Sequence, residues 1–329
     1  MKILFTADWH IKISKDIPEY WERQRLRLLI QEINNIYREH CCNLVVIGGD
    51  ILDIAKPSTE ELDLYFEAMA SLNVDKCIIY TGNHEVINFK SCLIGLKEET
   101  TRCNPKVEII TEPYRSEDFD IIDFVELHKK EWIPSKSKIC FTHVRGSIPP
   151  HVKPEIDLEK FNKHGYSLVI AGDLHSVTNS QFVNKTPLLY PGSPFSTTFI
   201  RTKPNNNYGV YIVDTDTLSY DWISLDHLPQ LILQSISSEE EIKEDSYNRV
   251  MYELVGNVVE LGKVSNNSLI KKKVNTGITK NPKLDLRKAS KLEDEFLLYC
   301  RNILKINEKQ IEDLLTELHN SVDISKYND

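Results

Sequence analysis

No apolar run in this 329-residue chain approaches membrane-spanning length, and its start reads as a strand rather than a charged lead before an apolar stretch. Neither an integral membrane protein nor a secreted one fits, and a soluble protein of the cytoplasm is expected. Cysteines are few, 7 in all: Cys41, Cys42, Cys77, Cys92, Cys103, Cys140 and Cys300. Their odd number and the lack of any Cys-x-x-Cys spacing speak against a disulfide framework and fit a reduced, intracellular compartment. Internal repeats and low-complexity blocks are missing as well. Positive charge is in deficit, with 40 Lys and Arg against 49 Asp and Glu, and the net charge of −9 argues against a uniformly basic nucleic-acid binder.

What is present suffices for a sizeable core: 41% hydrophobic residues over a length that accommodates one large α/β domain and something smaller. Six patterns then fall in order: Asp8-Trp9-His10, Gly49-Asp50-Ile51-Leu52-Asp53, Gly82-Asn83-His84-Glu85, Thr142-His143, Gly172-Asp173-Leu174-His175 and Tyr190-Pro191-Gly192-Ser193. Five of them follow short apolar runs, Ile3-Leu4-Phe5, Leu44-Val45-Val46-Ile47, Ile78-Ile79-Tyr80, Ile139-Cys140-Phe141 and Leu168-Val169-Ile170. Length, β-branching and Gly-rich exits make these runs buried strands. Ligands of open α/β sheets gather outside the carboxyl ends of the strands, where the loops converge. Five sets of Asp, His and Asn residues therefore point to one place, the signature of a two-metal hydrolase.

Each pattern alone has a plainer reading. Asp-x-His is common in capped turns, Asp50 and Asp53 would suit a helix N-terminus, Gly82-Asn83 is a turn signal, and a lone His143 is usually a satisfied structural residue. Five plain readings in one order at five strand ends form a far less economical account than one shared metal site.

The ordered set Asp-x-His, Gly-Asp-x-x-Asp, Gly-Asn-His-Glu, His and Gly-x-x-His resembles the calcineurin-like metallophosphoesterase superfamily. Within it, residues 1–10 and Tyr190-Pro191-Gly192-Ser193-Pro194-Phe195-Ser196 resemble the SbcD-type nuclease subunit of repair and recombination complexes, which tailed phages also encode. The resemblance implies a four-layer α/β/β/α sandwich, two mixed sheets face to face with helices outside, followed by a small α+β capping domain and a C-terminal helix pair. It implies that Asp8, His10, Asp50 and His175 hold one divalent ion and Asp50, Asn83, His143 and Asp173 the other, with Asp50 bridging. Mn²⁺ is the expected metal and Mg²⁺ the alternative. A hydroxide shared by the ions would attack the phosphodiester in line, and His84 would stabilise the transition state or protonate the leaving oxygen.

Two residues depart from the family pattern. Asp173 stands where an imidazole is usual, a harder ligand that favours oxygen-preferring metals. Glu85 stands where the nuclease branch has Asp, and its expected task is to orient His84.

After the motifs the chain changes character. Tyr208–Val213 and Leu218–Ile223 read as a closing hairpin, Ser235–Glu241 as an acidic linker or helix start, and Arg249–Val255 as a strand of a second domain. The expected domains are a nuclease domain at 1–228, a capping and DNA-binding domain at 229–287, and a helical ATPase-binding region at 288–329. A local basic tract runs from Lys263 to Lys291 through Lys271, Lys272, Lys273, Lys280 and Lys283, with Asp285 its one acid. Charge alone leaves a phosphate-tracking surface and a solvated loop equally open, and the resemblance favours DNA.

Two amphipathic helices follow, one capped by Ser290 with Glu293 and striped by Leu292, Phe296 and Ile303. The other is capped by Asn307 with Gln310 and striped by Ile311, Leu314, Leu315 and Leu318. Docking on the protein's own core is the commoner fate of such helices. The resemblance implies instead that they grip an SbcC-type coiled-coil ATPase, within a heterotetramer built on a nuclease homodimer. The earlier segment Glu19–His40, with Leu26, Leu29, Ile30, Ile33, Ile36 and Tyr37 inward, reads as a helix covering the sheet.

The expected activity is metal-dependent DNA cleavage, in the host cytoplasm if the chain is phage-encoded. One competing reading is a phosphatase or small-nucleotide phosphodiesterase with the same motifs, which would need neither basic tract nor helix pair. Another is a phosphoesterase-like binding protein without catalysis, which the intact remainder of the motif set disfavours.

Overall fold

The computed structural model describes residues 1–150, 152–201, 207–243, 245–256, 261, 264, 269–274 and 292–321. The main body is built of strands that are apolar on both faces at the sheet centres, where both faces are covered, and more polar and exposed toward the edges. They are β1 (Lys2–Thr6), β2 (Leu44–Gly48), β3 (Cys77–Tyr80), the short β4 (Val86–Ile87) and β5 (Lys90–Ser91), β6 (Val107–Ile109), β7 (Tyr114–Arg115) and β8 (Asp120–Ile122). The chain continues with β9 (Ile139–His143), β10 (Leu168–Gly172), β11 (Gln181–Val183), β12 (Thr186–Leu189), β13 (Gly209–Asp214) and β14 (Ser219–Ser224).

Two six-stranded mixed sheets result, ordered β14-β13-β1-β2-β3-β6 and β11-β12-β10-β9-β8-β7. β1 runs parallel to β2, with Ile3 beside Leu44, and β9 runs parallel to β10, with His143 beside Gly172. Residues alternate between the faces. Ile3, Phe5, Val46 and Ile78 meet Ile121, Phe141, Leu168 and Ile170 in the core between the sheets, where the Phe5 and Phe141 rings stack at 5.2 Å.

Leu4, Val45, Ile47 and Ile79 face outward under α1 (Glu19–Glu39) and α2 (Thr59–Ser71). On the other side Ile122, Cys140, Val169 and Ala171 pack with Leu127 of α4 (Phe124–Leu127) and Phe161 of α5 (Glu159–Lys163). A further short helix, α3, spans Lys97–Cys103. The result is the four-layer α/β/β/α sandwich the sequence leads one to expect. α1 buries the anticipated Leu26, Leu29, Ile30, Ile33, Ile36 and Tyr37, and α2 begins at a capping box between Ser58 and Glu61.

The anticipated hairpin forms as β13 and β14. Beyond it lies a three-stranded sheet of β15 (Leu231–Ile236), β16 (Arg249–Gly256) and β17 (Ile270–Val274). Ser235 and Ile236 complete a strand rather than start a linker, and only Glu239–Glu241 form a helical turn, capped by Ser238. The chain divides into two compact units, residues 1–255 with 261–273, and residues 256–260 with 274–329. In the second, helix Leu292–Tyr299 runs into a π-helical turn at Cys300–Leu304 that ends at Lys305 with φ 52°, before helix Glu308–Ser321. Ser290 lies outside the described residues. The Asn307–Gln310 box forms reciprocally, at 3.3 and 3.0 Å. All seven cysteines are free thiols. Among the described residues no helix is long and apolar enough to cross a membrane.

Candidate metal centre

β1, β2, β3, β9 and β10 release their chains at one end of the paired sheets, and the turns there are unusual. Asp8, His10, Asp50 and Asp173 all sit at positive φ, 59°, 47°, 51° and 94°. Left-handed backbone costs an L-residue roughly 1–2 kcal/mol, so the surroundings must enforce it. They do so by stitching loop to loop: Asp8 N donates to Gly49 O (3.0 Å), His10 N to Asp50 O (2.9 Å) and Asp173 N to Asp8 Oδ1 (3.0 Å). Gly82 is required by contact, since a Cβ there would lie 2.2 Å from Asp50 Oδ1.

The side chains converge accordingly. Asp8, His10 and His175 bring ligand atoms within 4.8 Å of one another, and so do Asp8, Asp50 and His143. Asp50 stands between the imidazoles, its Oδ2 3.3 Å from His143 Nε2 and 3.7 Å from His10 Nε2. Each imidazole is oriented by its other nitrogen. His143 Nδ1 faces Gly48 O at 2.8 Å, His10 Nδ1 faces Asp53 Oδ1 at 3.1 Å, and His175 Nδ1 faces Thr197 Oγ1 at 2.9 Å. Carbonyl and carboxylate oxygens only accept, so Nδ1 of His143 and His10 carries the proton and Nε2 is turned into the site as metal sites require.

Two juxtapositions test whether cations fit. His10 Nε2 and His175 Nε2 lie 3.1 Å apart, nitrogen to nitrogen. One end of the Asn83 amide lies 2.8 Å from His143 Nε2, 3.0 Å from Asp50 Oδ2 and 3.3 Å from Asp173 Oδ1. With the NH₂ group at that end, hydrogen bonds satisfy the cluster. With the oxygen there and His143 neutral, acceptors face acceptors, an arrangement that a cation satisfies and a hydrogen bond does not. The residues present fit divalent metal.

Electrostatics agree. Burial pushes the Asp8 carboxyl well above the usual carboxylate range, with the charges of Asp50 and Asp173 adding to it. Burial acts the same way on Asp50, but His143, His10 and His84 reverse it and hold that carboxyl well below the usual range. Burial disfavours a charge on His143, yet Asp50 and then Asp8 and Asp173 make it markedly more basic than an ordinary imidazole. His175, buried and facing His10, is pushed down to about 3 and is neutral.

His84 stays at the mouth, its side chain 39% exposed, with Nδ1 2.5 Å from Asp53 O and Nε2 3.9 Å from Asp50 Oδ2. Glu85 does not orient it, contrary to expectation. The Glu85 carboxylate is buried beneath the loops, where Oε2 accepts from Asp50 N (3.0 Å) and Gly82 N (2.9 Å) and Oε1 from Leu52 N (3.0 Å). The longer side chain reaches the backbone that shapes the Asp50 turn, and His84 is oriented by the Asp53 carbonyl.

Asp173 arrives at the rim with both oxygens also engaged by Arg145, at 3.1 Å (Nε) and 3.2 Å (Nη2). This bidentate pair offsets the negative charge that a carboxylate brings in place of an imidazole. The sequence reading leaves out Arg145 and Thr197, and it names Asp53 within its motif without giving it a task beside His10. Asp53 carried a signal, its place in the Gly-Asp-x-x-Asp motif; Arg145 and Thr197 carried none.

The Tyr190–Ser196 motif proves to be a brace. Tyr190 Oη donates to Val144 O (3.0 Å). Gly192, at φ 78°, lies where a Cβ would approach His175 O at 3.0 Å. The buried Arg25 guanidinium covers the Phe195 ring at 3.8 Å and donates to Ser196 O at 3.0 Å. These contacts fix the loop that carries Thr197, and through it His175.

Lys271 pairs with Asp16 (3.2 Å), Lys273 with Glu253 (3.5 Å), and Lys272 donates to Val264 O (2.7 Å). Lys280 and Lys283 lie outside the described residues. Along the C-terminal helices Ile303 and Leu314 are exposed, Phe296 and Leu315 half-buried, and Ile311 buried. Leu292 and Leu318 occupy helical positions, and their side chains are outside the described set.

Residues 1–177 match the family of calcineurin-like phosphoesterases, and the chain belongs to that family. Its sandwich and its ring of Asp, His and Asn residues at the strand ends are those of a metallophosphoesterase. The chain is 47% identical over 320 residues to a protein described as probable exonuclease subunit 1 of Escherichia phage T5, covering 96% of this chain and 97% of that one. It is 22% identical over 280 residues to the DNA double-strand break repair protein Mre11 of Methanopyrus kandleri, across 73% of this chain and 60% of the relative. Over 88 residues it is 34% identical to the SbcD component of the nuclease SbcCD of Staphylococcus epidermidis, 26% of this chain and 23% of that one.

Proposed function

We propose that this chain is the metal-dependent DNA nuclease subunit of an ATPase–nuclease pair. The observation that carries the reading is the extent of the likeness to the phage T5 exonuclease subunit. It covers 96% of this chain, well past the phosphoesterase segment at 1–177, so the likeness includes the parts a small-molecule phosphatase would not need. Asp8, His10, Asp50 and His175 would hold one cation, and Asp50, Asn83, His143 and Asp173 the other, Mn²⁺ before Mg²⁺. Bound there, the metals supply Lewis-acid charge to the phosphate and acidify water. The chain's own part is to hold neutral imidazole nitrogens toward them, to keep Asp50 ionised, and to present His84 Nε2 to the leaving oxygen while Nδ1 is held by Asp53 O.

The division at 228/229 and 287/288 belongs to this proposal. So do DNA contact through Lys271, Lys272, Lys273, Lys280 and Lys283, a homodimer, and docking of an SbcC-type ATPase on the C-terminal helices, all in the host cytoplasm for a phage-encoded protein. The test is incubation with linear duplex DNA, single-stranded DNA and a chromogenic phosphodiester, each with Mn²⁺ and with Mg²⁺. Cleavage of DNA supports the reading. Turnover of the small phosphodiester alone would make the chain a small-substrate phosphodiesterase, and no turnover with either metal would make it a binding protein.

A further inference from the structure

The loop that carries Asn83 and His84 continues into the hairpin of β4 and β5. The hairpin is rooted on that loop, where Val86 N donates to Asn83 O (3.2 Å) and Cys92 N to Glu85 O (2.8 Å). Thr81 Oγ1 donating to Ser91 Oγ (2.8 Å) and the buried Leu93 hold its base. Its two-residue turn, Asn88-Phe89, has both residues at positive φ, 51° and 58°. That is the pattern of a type I′ turn, in which Asn is at home in the first central position and Gly in the second. Phenylalanine in the second is unfavourable for the backbone, and packing does not compensate, because Phe89 is 69% exposed. The fold alone gives no reason for this ring to be there.

Beside the turn lies a cleft of about 200 Å³, lined by Phe89, Lys90, Ile94, Pro113, Val125 and Lys129. Its far wall belongs to the metal centre's surroundings. Phe124, next to Val125, donates its N–H to Thr81 O (3.1 Å) and sets its ring edge-on to His143 with centroids 6.4 Å apart. Phe89 is five positions beyond His84, so their Cα atoms are at most roughly 17 Å apart. A few nucleotides span that distance at about 3.4 Å per stacked base.

We propose that Phe89 is a stacking platform for a nucleobase, holding an unpaired nucleotide of the DNA strand whose phosphodiester lies at the metal centre. The inference rests on the nuclease reading above. A flat, exposed aromatic ring on a rigidly rooted hairpin accepts the face of any base without regard to sequence; Lys90 and Lys129 share the cleft with Glu112, Asp123 and Glu126, so stacking rather than net charge carries the contact.

Phe89→Ala, Phe89→Trp and Phe89→Gly test it, with KM and kcat for a single-stranded oligonucleotide, hydrolysis of a chromogenic phosphodiester, thermal melting, and molecular mass in solution as readouts. Phe89→Ala should raise the oligonucleotide KM roughly tenfold, the scale of one base–aromatic stack, with kcat and small-substrate hydrolysis little changed. Phe89→Trp should preserve KM. Phe89→Gly should raise both the melting temperature and KM, a divergence that a purely structural role does not produce. If wild-type protein cleaves DNA and KM is unmoved in Phe89→Ala, the stacking role is wrong and the nuclease reading survives. A fall in molecular mass with KM unmoved would make the hairpin a contact between copies of the chain. If the wild type turns over only the small phosphodiester, the nuclease reading has failed and the stacking role with it.

Discussion

The metal-facing loops and the C-terminal helices treat polarity in opposite ways. In the loops, polar side chains are buried and given partners: Asp8, His10, Asp50, Glu85 and His143 are all less than 3% exposed, and backbone or side-chain hydrogen bonds hold each of them. In helices Leu292–Tyr299 and Glu308–Ser321 and the π-helical turn between them, apolar side chains are left in solvent, with Tyr299 at 44%, Ile303 at 37%, Leu304 at 48% and Leu314 at 39%. A buried polar group is worth its desolvation only where its geometry is used, and an exposed apolar stripe gains only when something covers it. The first region is built to hold small charged ligands, and the second presents the apolar surface that, in the proposal above, a partner would cover.

The hardest blow to the first region that leaves its architecture standing is His84→Ala. Turnover of DNA should fall by roughly 10²–10⁴, the contribution of a positioned proton donor, while both metals stay bound. Elemental analysis beside single-turnover kinetics checks this. Metal lost in proportion to activity would make His84 a ligand and erase the distinction between holding the ions and moving the proton.

Asp173 and Arg145 sharpen the comparison next, because they are one buried and one exposed member of a pair at the rim. Asp173→His should lower Mg²⁺ affinity at one site by roughly 10–100-fold, the scale seen when a group supporting a metal is altered, and should shift activity toward Mn²⁺. Arg145 then has no carboxylate partner and its charge opposes the incoming cation. Adding Arg145→Ala should recover part of the loss. Calorimetric titration of the single and double variants measures the coupling, and equal affinities in all of them would remove Asp173 from the metal set.

Acidity gives a milder, graded perturbation. Burial opposes a proton on His143, but Asp50 outweighs it, so the folded protein holds that proton to a higher pH than an ordinary imidazole. In metal-free protein the resulting stabilisation is complete below the unfolded value near 6.5 and is lost as pH rises through the raised folded value. A cation must displace the same proton, so metal affinity should weaken by roughly tenfold for each unit the pH falls below that raised value. Titrations between pH 6 and 8 would show it. A flat profile would mean that His143 is unprotonated when metal arrives.

The smallest effect on chemistry is expected from the second region. Ile303→Glu with Leu314→Glu places charge on the exposed stripe and should leave metal-dependent hydrolysis of a small phosphodiester unchanged. Capture of a coiled-coil ATPase partner in a pull-down should be lost. Undiminished capture would move the docking surface elsewhere.

Much of the site was legible in the chain alone, because metal chemistry restricts ligands to a few residue types and the strand pattern fixes where their loops emerge. Asp8, His10, Asp50, Asn83, His143 and His175 announce themselves in this way, as does the alternation that packs Ile3 and Phe5 inward and Leu4 outward. The task of Glu85 was misread because sequence adjacency to His84 says nothing about direction: the chain turns at Gly82, and the carboxylate points under the Asp50 loop. The Tyr190–Ser196 motif was visible as a motif, but its work as a brace for His175 depends on Arg25, from a helix far earlier in the chain.

By itself, the sequence determined which groups have lone pairs to offer, which runs must be buried, and in what order the strands deliver them, since composition and periodicity are local properties. Only the tertiary structure decided which nitrogen of each imidazole faces inward, that Arg145 meets Asp173, and that Asp8, His10, Asp50 and Asp173 adopt left-handed backbone. Those choices depend on distances of about 3 Å between residues far apart in sequence, where hydrogen-bond energy falls away too steeply for local pattern to anticipate it.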